Sequence, residues 1–145
     1  MSQSPIEFLT GLFETAVRRA DPRTLPSLPL PHKIEGRLVV VGAGKASAAF
    51  AQAFERCAAA QNIVIDESLI ICPYGAKLPT DHLILKEASH PVPDAESVAG
   101  AREIMEMAES LSDTDHLVVL LSGGGSSLLS HPADGISLSD KQGII

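Results

Sequence analysis

The sequence predicts an α/β fold, an open and mostly parallel sheet with helices flanking it. Three observations predict it. Two short apolar runs, Leu38–Val41 and Leu117–Leu121, each end in a glycine loop, GAGKAS at 42–47 and SGGGSS at 122–127. Segments with apolar residues at helical spacing lie between and around them, at 46–57 and 98–111. Further short apolar runs, Ile63–Ile65, Leu69–Cys72 and Leu83–Leu85, alternate with those helices. Strands joined by crossover helices form a parallel sheet whose ligands bind beyond its carboxyl ends.

The first element is an amphipathic helix within residues 1–20. Ser4 is placed as N-cap, Pro5 at the first helical position and Glu7 where it closes a capping box. Ile6, Leu9, Phe13, Ala16, Val17 and Ala20 share one face, which predicts that the helix packs on a partner surface. Residues 21–36 carry Pro22, Pro26, Pro29 and Pro31, a density no helix survives, and read as an extended connector. Residues 37–145 hold the strand–helix units. Leu38–Val41 opens them, and the helix after it buries Ala46, Phe50, Ala53 and Cys57. Tyr74-Gly75 is a turn, and the lone tyrosine reads as a packing residue. Pro91 and Pro93 stiffen the loop that follows the Leu83–Leu85 run, and Asp94 is an N-cap. Val98, Ala101, Ile104, Met105, Ala108 and Leu111 mark the buried face of the next helix. Leu117–Leu121 does not alternate with polar residues and so reads as a strand buried on both faces. Ser126 and Ser127 stand where a helix can begin. His131–Gly135 is a turn, and Ser137 with Asp140 starts a last capped helix that the sequence leaves about two turns long.

Composition narrows the function classes. The chain has 145 residues, enough for one domain with a real core. Aromatics are 3% and Trp is absent, so that core is aliphatic. The net charge of −7 and the lack of a basic run argue against a nucleic-acid or anionic-membrane surface. Cys57 and Cys72 lie in apolar surroundings without metal-ligand spacing and read as reduced core residues of a cytoplasmic protein. No apolar run is long enough to span a membrane, and the N-terminus has no signal-peptide pattern.

The chemistry lies in the two glycine loops. A strand, a glycine loop and a helix start together present backbone N–H groups to an anion. GAGKAS admits three readings. It departs from the dinucleotide fingerprint G-x-G-x-x-G only at Ser47, and Asp66 and Glu67 lie near the distance of a ribose-binding acid. It also suits an anion site in which Lys45 adds a full charge to the helix dipole. The third reading is a tight turn with a solvated lysine. Walker A spacing is absent. His90 is either aimed into a cleft by its stiff loop or hydrogen-bonded to a turn.

The stretches VVVGAGKASAAFAQAFE, YGAK, EASHPVPDAESVAGAREIME, VVLLSGGGSSLL and HPADGISLSDKQ occur in this order. Together they resemble the N-terminal portion of the glycerate 2-kinase family, whose members carry a C-terminal MOFRL domain and often bear the label hydroxypyruvate reductase. The resemblance implies a Rossmann-like N-terminal domain of a larger two-domain protein. On this view the chain is truncated and its MOFRL domain absent. It implies phosphoryl transfer from ATP, with Mg2+, to D-glycerate in a cleft between the two domains. Lys45 matches the motif lysine and takes the catalytic role of stabilising substrate and phosphoryl group. Gly42 and Gly44, with Ser122, Gly123, Gly124, Gly125 and Ser126, match the loops that hold the nucleotide phosphates. His90 and Ser127 would line the substrate side. Ser127 and Ser47 stand where the family commonly has alanine. No metal ligand is assigned to this portion. The missing domain is then the chief partner, D-glycerate the small-molecule substrate, and a homo-oligomer remains open.

Two other classes stay open from the residues. One is an NAD(P)-dependent hydroxypyruvate reductase, supported by G-x-G and the downstream acids. The other is a non-catalytic remnant that binds an anion or a partner chain through apolar surface.

Overall fold

The computed structural model describes residues 4–24, 30 and 33–145. The elements run α1 (Pro5–Ala20), a 3-10 turn (Pro22–Thr24), β1 (Leu38–Ala43), α2 (Ser47–Ala60), β2 (Glu67–Pro73), β3 (Leu85–Ala88), α3 (Ala95–Glu109), β4 (His116–Leu121), α4 (Gly125–Leu128) and α5 (Leu138–Gln142). The four strands form one parallel sheet in the order β3-β2-β1-β4. The chain winds from β1 outward to β2 and β3, then returns through α3 to place β4 on the other side of β1. That reversal makes the gap between the β1 and β4 loops a topological switch point, where open α/β sheets bind ligands.

The period-2 alternation of β2 divides the core. Ile70 and Cys72 face α2, where Leu38, Val40, Phe54, Ala58, Leu85 and Leu120 close around them. Leu69 and Ile71 face the other way, against Ala43, Ala88 and Leu128, with Ile104 and Met107 of α3 over them. Gly100 lets α3 sit close: a Cβ there would stand 2.7 Å from Ile71 Cδ1. Both cysteines are buried free thiols, as expected. Burial raises the Cys72 thiol above its ordinary range.

Capping follows the sequence. Ser4 and Glu7, Asp94 and Ser97, and Ser137 and Asp140 each form reciprocal capping boxes. Four expectations are corrected. β4 is an edge strand with Leu120 buried but Val119 50% and Leu121 58% exposed, because no element among the described residues lies over its α3-side face. The α1 helix forms but buries none of its residues, so no element among the described residues covers its apolar face. Ile63–Ile65 is not a strand; β2 begins at Glu67, where the register with Val39 starts. Met105 is exposed, and Met107 takes the place near the core. In the proline segment Pro22 is buried in the 3-10 turn, while Pro26, Pro29 and Pro31 lie outside the described residues.

Candidate active site

Both glycine loops emerge at the carboxyl end of the sheet, one after β1 and one after β4, and they are tied together. Lys45 N donates to Gly123 O at 2.8 Å, and Ala46 N donates to Ser122 Oγ at 3.0 Å. The start of α2 has no cap from its own Ala46, so the Ser122 hydroxyl of the other loop serves it. Gly44 N donates to Ile71 O at 3.2 Å and Ser47 N to Gly44 O at 3.2 Å. Ser47 is fully buried, and its hydroxyl meets Gly44 O at 2.8 Å and Ile71 O at 2.9 Å. The consecutive N–H groups of the first loop are therefore all engaged within the protein.

The second loop is the opposite case. Ser122 N donates to Ala43 O at 3.0 Å, which anchors the loop to β1. Beyond it, among the described residues, the N–H groups of Gly123, Gly124, Gly125 and Ser126 meet no acceptor. Gly124 has φ +93°, a conformation that favours glycine and turns the chain into α4. Lys45 leans over this loop: Cβ atoms built on Gly123 and Gly124 would stand 3.8 Å from Lys45 Cε and 3.2 Å from Lys45 Cγ. Lys45 is exposed and makes no ion pair among the described residues. His90 comes from the β3 loop to the same place. A Cβ on Gly124 would stand 2.8 Å from both Cδ2 and Nε2 of its ring. A lysine charge, four free N–H donors and an imidazole edge thus converge at the switch point, a donor set suited to an anion rich in oxygen.

The structure sorts the predicted residues. Lys45, His90, Gly123, Gly124, Gly125 and Ser126 come together. Gly42 does not face the loops: it lies inside β1, where a Cβ would collide with Leu120 O. Gly44 has φ +135° and is pressed against Ser122. Both glycines are required by backbone approach. Ser122 is a loop fastener through its acceptor lone pair. Ser127 is buried, and its hydroxyl donates to Gly124 O at 3.1 Å, shaping the turn.

Asp66 and Glu67 lie at the wrong end of the sheet for a ribose. Asp66 Oδ2 accepts from Leu38 N at 2.8 Å, and Glu67 Oε1 from Arg37 Nη1 at 2.6 Å. Both are at the amino-terminal edge, the length of β1 away from GAGKAS, beside a groove lined by Ile34, Gly36, Asn62 and Asp66. The dinucleotide reading loses its acids and its free N–H donors together. No metal-binding cluster of three or more His, Cys, Asp or Glu occurs among the described residues. No described helix is long and apolar enough to cross a membrane.

Sequence reasoning gave Tyr74 only packing. Its hydroxyl in fact donates to Asp94 Oδ2 at 2.8 Å, next to the His90 loop. That bond and desolvation raise the Tyr74 phenol above its ordinary range. Burial alone would raise the Asp94 carboxyl, but donation from Tyr74 and from the Ser97 amide outweighs it, and the group sits below the usual carboxylate range. The available signal was the position of Tyr74, directly after the end of a strand, where carboxyl-end loops carry function.

Residues 8–145 match the family model described as a domain of unknown function, DUF4147. A relative from Agrobacterium vitis, named "putative hydroxypyruvate reductase", is 41% identical over 138 residues, covering 95% of this chain and 31% of the relative. D-glycerate 2-kinase of Thermotoga maritima is 35% identical over 125 residues, covering 86% of this chain and 28% of that protein. The crystal structure of Thermotoga maritima glycerate kinase superposes with a TM-score of 0.76 at 30% identity, over 92% of this chain and 32% of the other. The chain spans less than a third of the length of these two curated relatives. With the matched region running through the whole sheet and both glycine loops, the chain belongs to the DUF4147 family, the N-terminal domain of the glycerate kinase/MOFRL proteins.

Proposed function

We propose that this domain forms one wall of a glycerate 2-kinase cleft, where the γ-phosphoryl group of ATP passes to a hydroxyl of D-glycerate to give 2-phosphoglycerate. The observation that carries the reading is the set of free N–H donors at Gly123–Ser126 under Lys45, in a chain whose relatives include D-glycerate 2-kinase. Phosphoryl transfer asks for positioning and positive charge more than covalent chemistry. Lys45 supplies the charge, fixed at its backbone by the bond to Gly123 O. The Gly123–Ser126 amides hold anionic oxygens without reorganising, because the Ser122 and Ser127 bonds have already set the turn. His90 borders the same anion and restricts where the glycerate end lies. ATP brings Mg2+, which neutralises phosphate charge; no residue of this chain is assigned to the metal. The cleft's other wall, and with it activity, belongs to a further domain.

The test joins this chain to the remaining two thirds of the Thermotoga maritima relative and measures ADP release from MgATP with and without D-glycerate. Glycerate-dependent ADP is expected, falling on the order of a hundredfold in Lys45→Ala. ADP release indifferent to D-glycerate, or to Lys45→Ala, overturns the assignment. NADH oxidation on hydroxypyruvate without ADP release would restore the reductase reading, which the name of the Agrobacterium vitis relative favours.

A further inference from the structure

Tyr74 and Asp94 lie outside the residues placed in the site, yet they enclose the loop that carries His90. Tyr74 follows the last residue of β2, and its N–H donates to Ala88 O, at the end of β3, at 3.2 Å. Its hydroxyl reaches Asp94 Oδ2 at 2.8 Å. Asp94 closes the far end of the His90 loop. Its Oδ1 accepts from Ser97 N at 3.0 Å, and its own N–H donates to Ser97 Oγ at 3.0 Å. One carboxylate therefore joins the first turn of α3, at the far end of the His90 loop, to Tyr74, directly after β2. Between its two ends stand Pro91 and the buried Pro93, whose fixed φ angles leave the arc little freedom. Pro93 O accepts from Gln142 Nε2 at 2.7 Å, which holds the arc from outside. At the top of the arc the His90 ring lies against Gly124.

Capping α3 needs Asp94 and Ser97 but no phenol. The Tyr74 hydroxyl adds a link from the sheet to the loop. We propose that Tyr74 and Asp94 are positioning residues that hold the His90 imidazole against the Gly124 turn and so set the shape of the anion site. The proposal rests on the reading of His90 and the Gly123–Ser126 loop as one site.

The experiment uses the 145-residue chain, observed by NMR without ligand and then titrated with D-glycerate. Tyr74→Phe removes one exposed hydroxyl and keeps the ring. Asp94→Asn removes the charge and keeps a residue able to cap a helix. In both variants the His90 ring resonances and the Gly123–Gly125 amides are expected to shift, while the interior amides of α3, Ala99–Met107, stay in place. The D-glycerate dissociation constant is expected to rise about fivefold, roughly the effect of one hydrogen bond. A shift confined to α3 would make the pair a helix cap only and overturn the proposal. So would unmoved His90 and Gly124 resonances in Tyr74→Phe. The ligand-free spectra decide the positioning by themselves; the substrate reading is decided separately, by glycerate-dependent ADP release from the fused protein.

Discussion

At the scale of single residues, two charges illustrate opposite uses. Lys45 is exposed and unpaired among the described residues, with its stem over a loop of free amides. Its replacement removes no internal contact of consequence, so Lys45→Met should leave thermal stability within about 0.5 kcal/mol. The same change should weaken binding of D-glycerate or inorganic phosphate about tenfold or more, read by titration calorimetry. Asp115 is the reverse, with a side chain only 6% exposed. Its carboxylate accepts from Ser112 N at 2.9 Å and Arg37 N at 2.7 Å, and meets Arg37 Nη2 at 3.1 Å. The backbone amides of Ser112 and Arg37, then the Arg37 guanidinium, hold its carboxyl well below the usual range. The unfolded chain binds that proton more readily than the folded one. The contribution is therefore complete above an ordinary carboxylate pKa of about 4 and is lost as pH falls below it. Asp115→Asn should lower the melting temperature at pH 7 and flatten its decline between about pH 4 and pH 2, measured by calorimetry across that range.

At the scale of elements, the β1–β4 pair carries the site. Gly42 lies in the middle of a strand, a position that ordinarily costs stability, because the Leu120 carbonyl comes too close for any side chain. Gly42→Ala should destabilise the domain by about 1–3 kcal/mol in urea unfolding and disturb the Lys45 and Gly123 amides at the end of the pair. The two glycine loops are one unit by the same logic. The first engages its donors on β2, on the second loop and within itself, whereas those of Gly123–Ser126 in the second meet no acceptor among the described residues. This asymmetry leaves unpartnered backbone donors at SGGGSS and none at GAGKAS among the described residues.

At the scale of the whole molecule, two apolar surfaces among the described residues face solvent. One is the α1 face with Ile6, Leu9, Phe13 and Val17; the other is the side of β4 with Leu117, Val119 and Leu121. Contiguous exposed apolar area on an edge strand invites association. A chain with Leu117→Thr, Val119→Lys and Leu121→Thr should bind less hydrophobic dye and sediment as a smaller species at high concentration. Its melting temperature should move by no more than a few degrees, since the side chains replaced are half exposed.

Residue pattern alone determined the α/β class, the parallel strands, the capping boxes at Ser4, Asp94 and Ser137, and the two loops at the carboxyl end of the sheet. These follow from local rules: apolar periodicity, glycine freedom and side-chain capping act within a few residues. It marked Lys45 and the SGGGSS loop as candidates for an anion, while His90 entered the candidate site through the family resemblance. Tertiary structure decided what depends on neighbours distant in sequence. It put β4 at an edge, so that an unbroken apolar run became a half-exposed strand. It turned Gly42 and Gly44 into contacts for Leu120 and Ser122, buried Ser127, carried Asp66 to the opposite end of the sheet and joined Tyr74 to Asp94. Which amides stay free is fixed by strand order and by pairs of loops some 80 residues apart, and no local pattern encodes that.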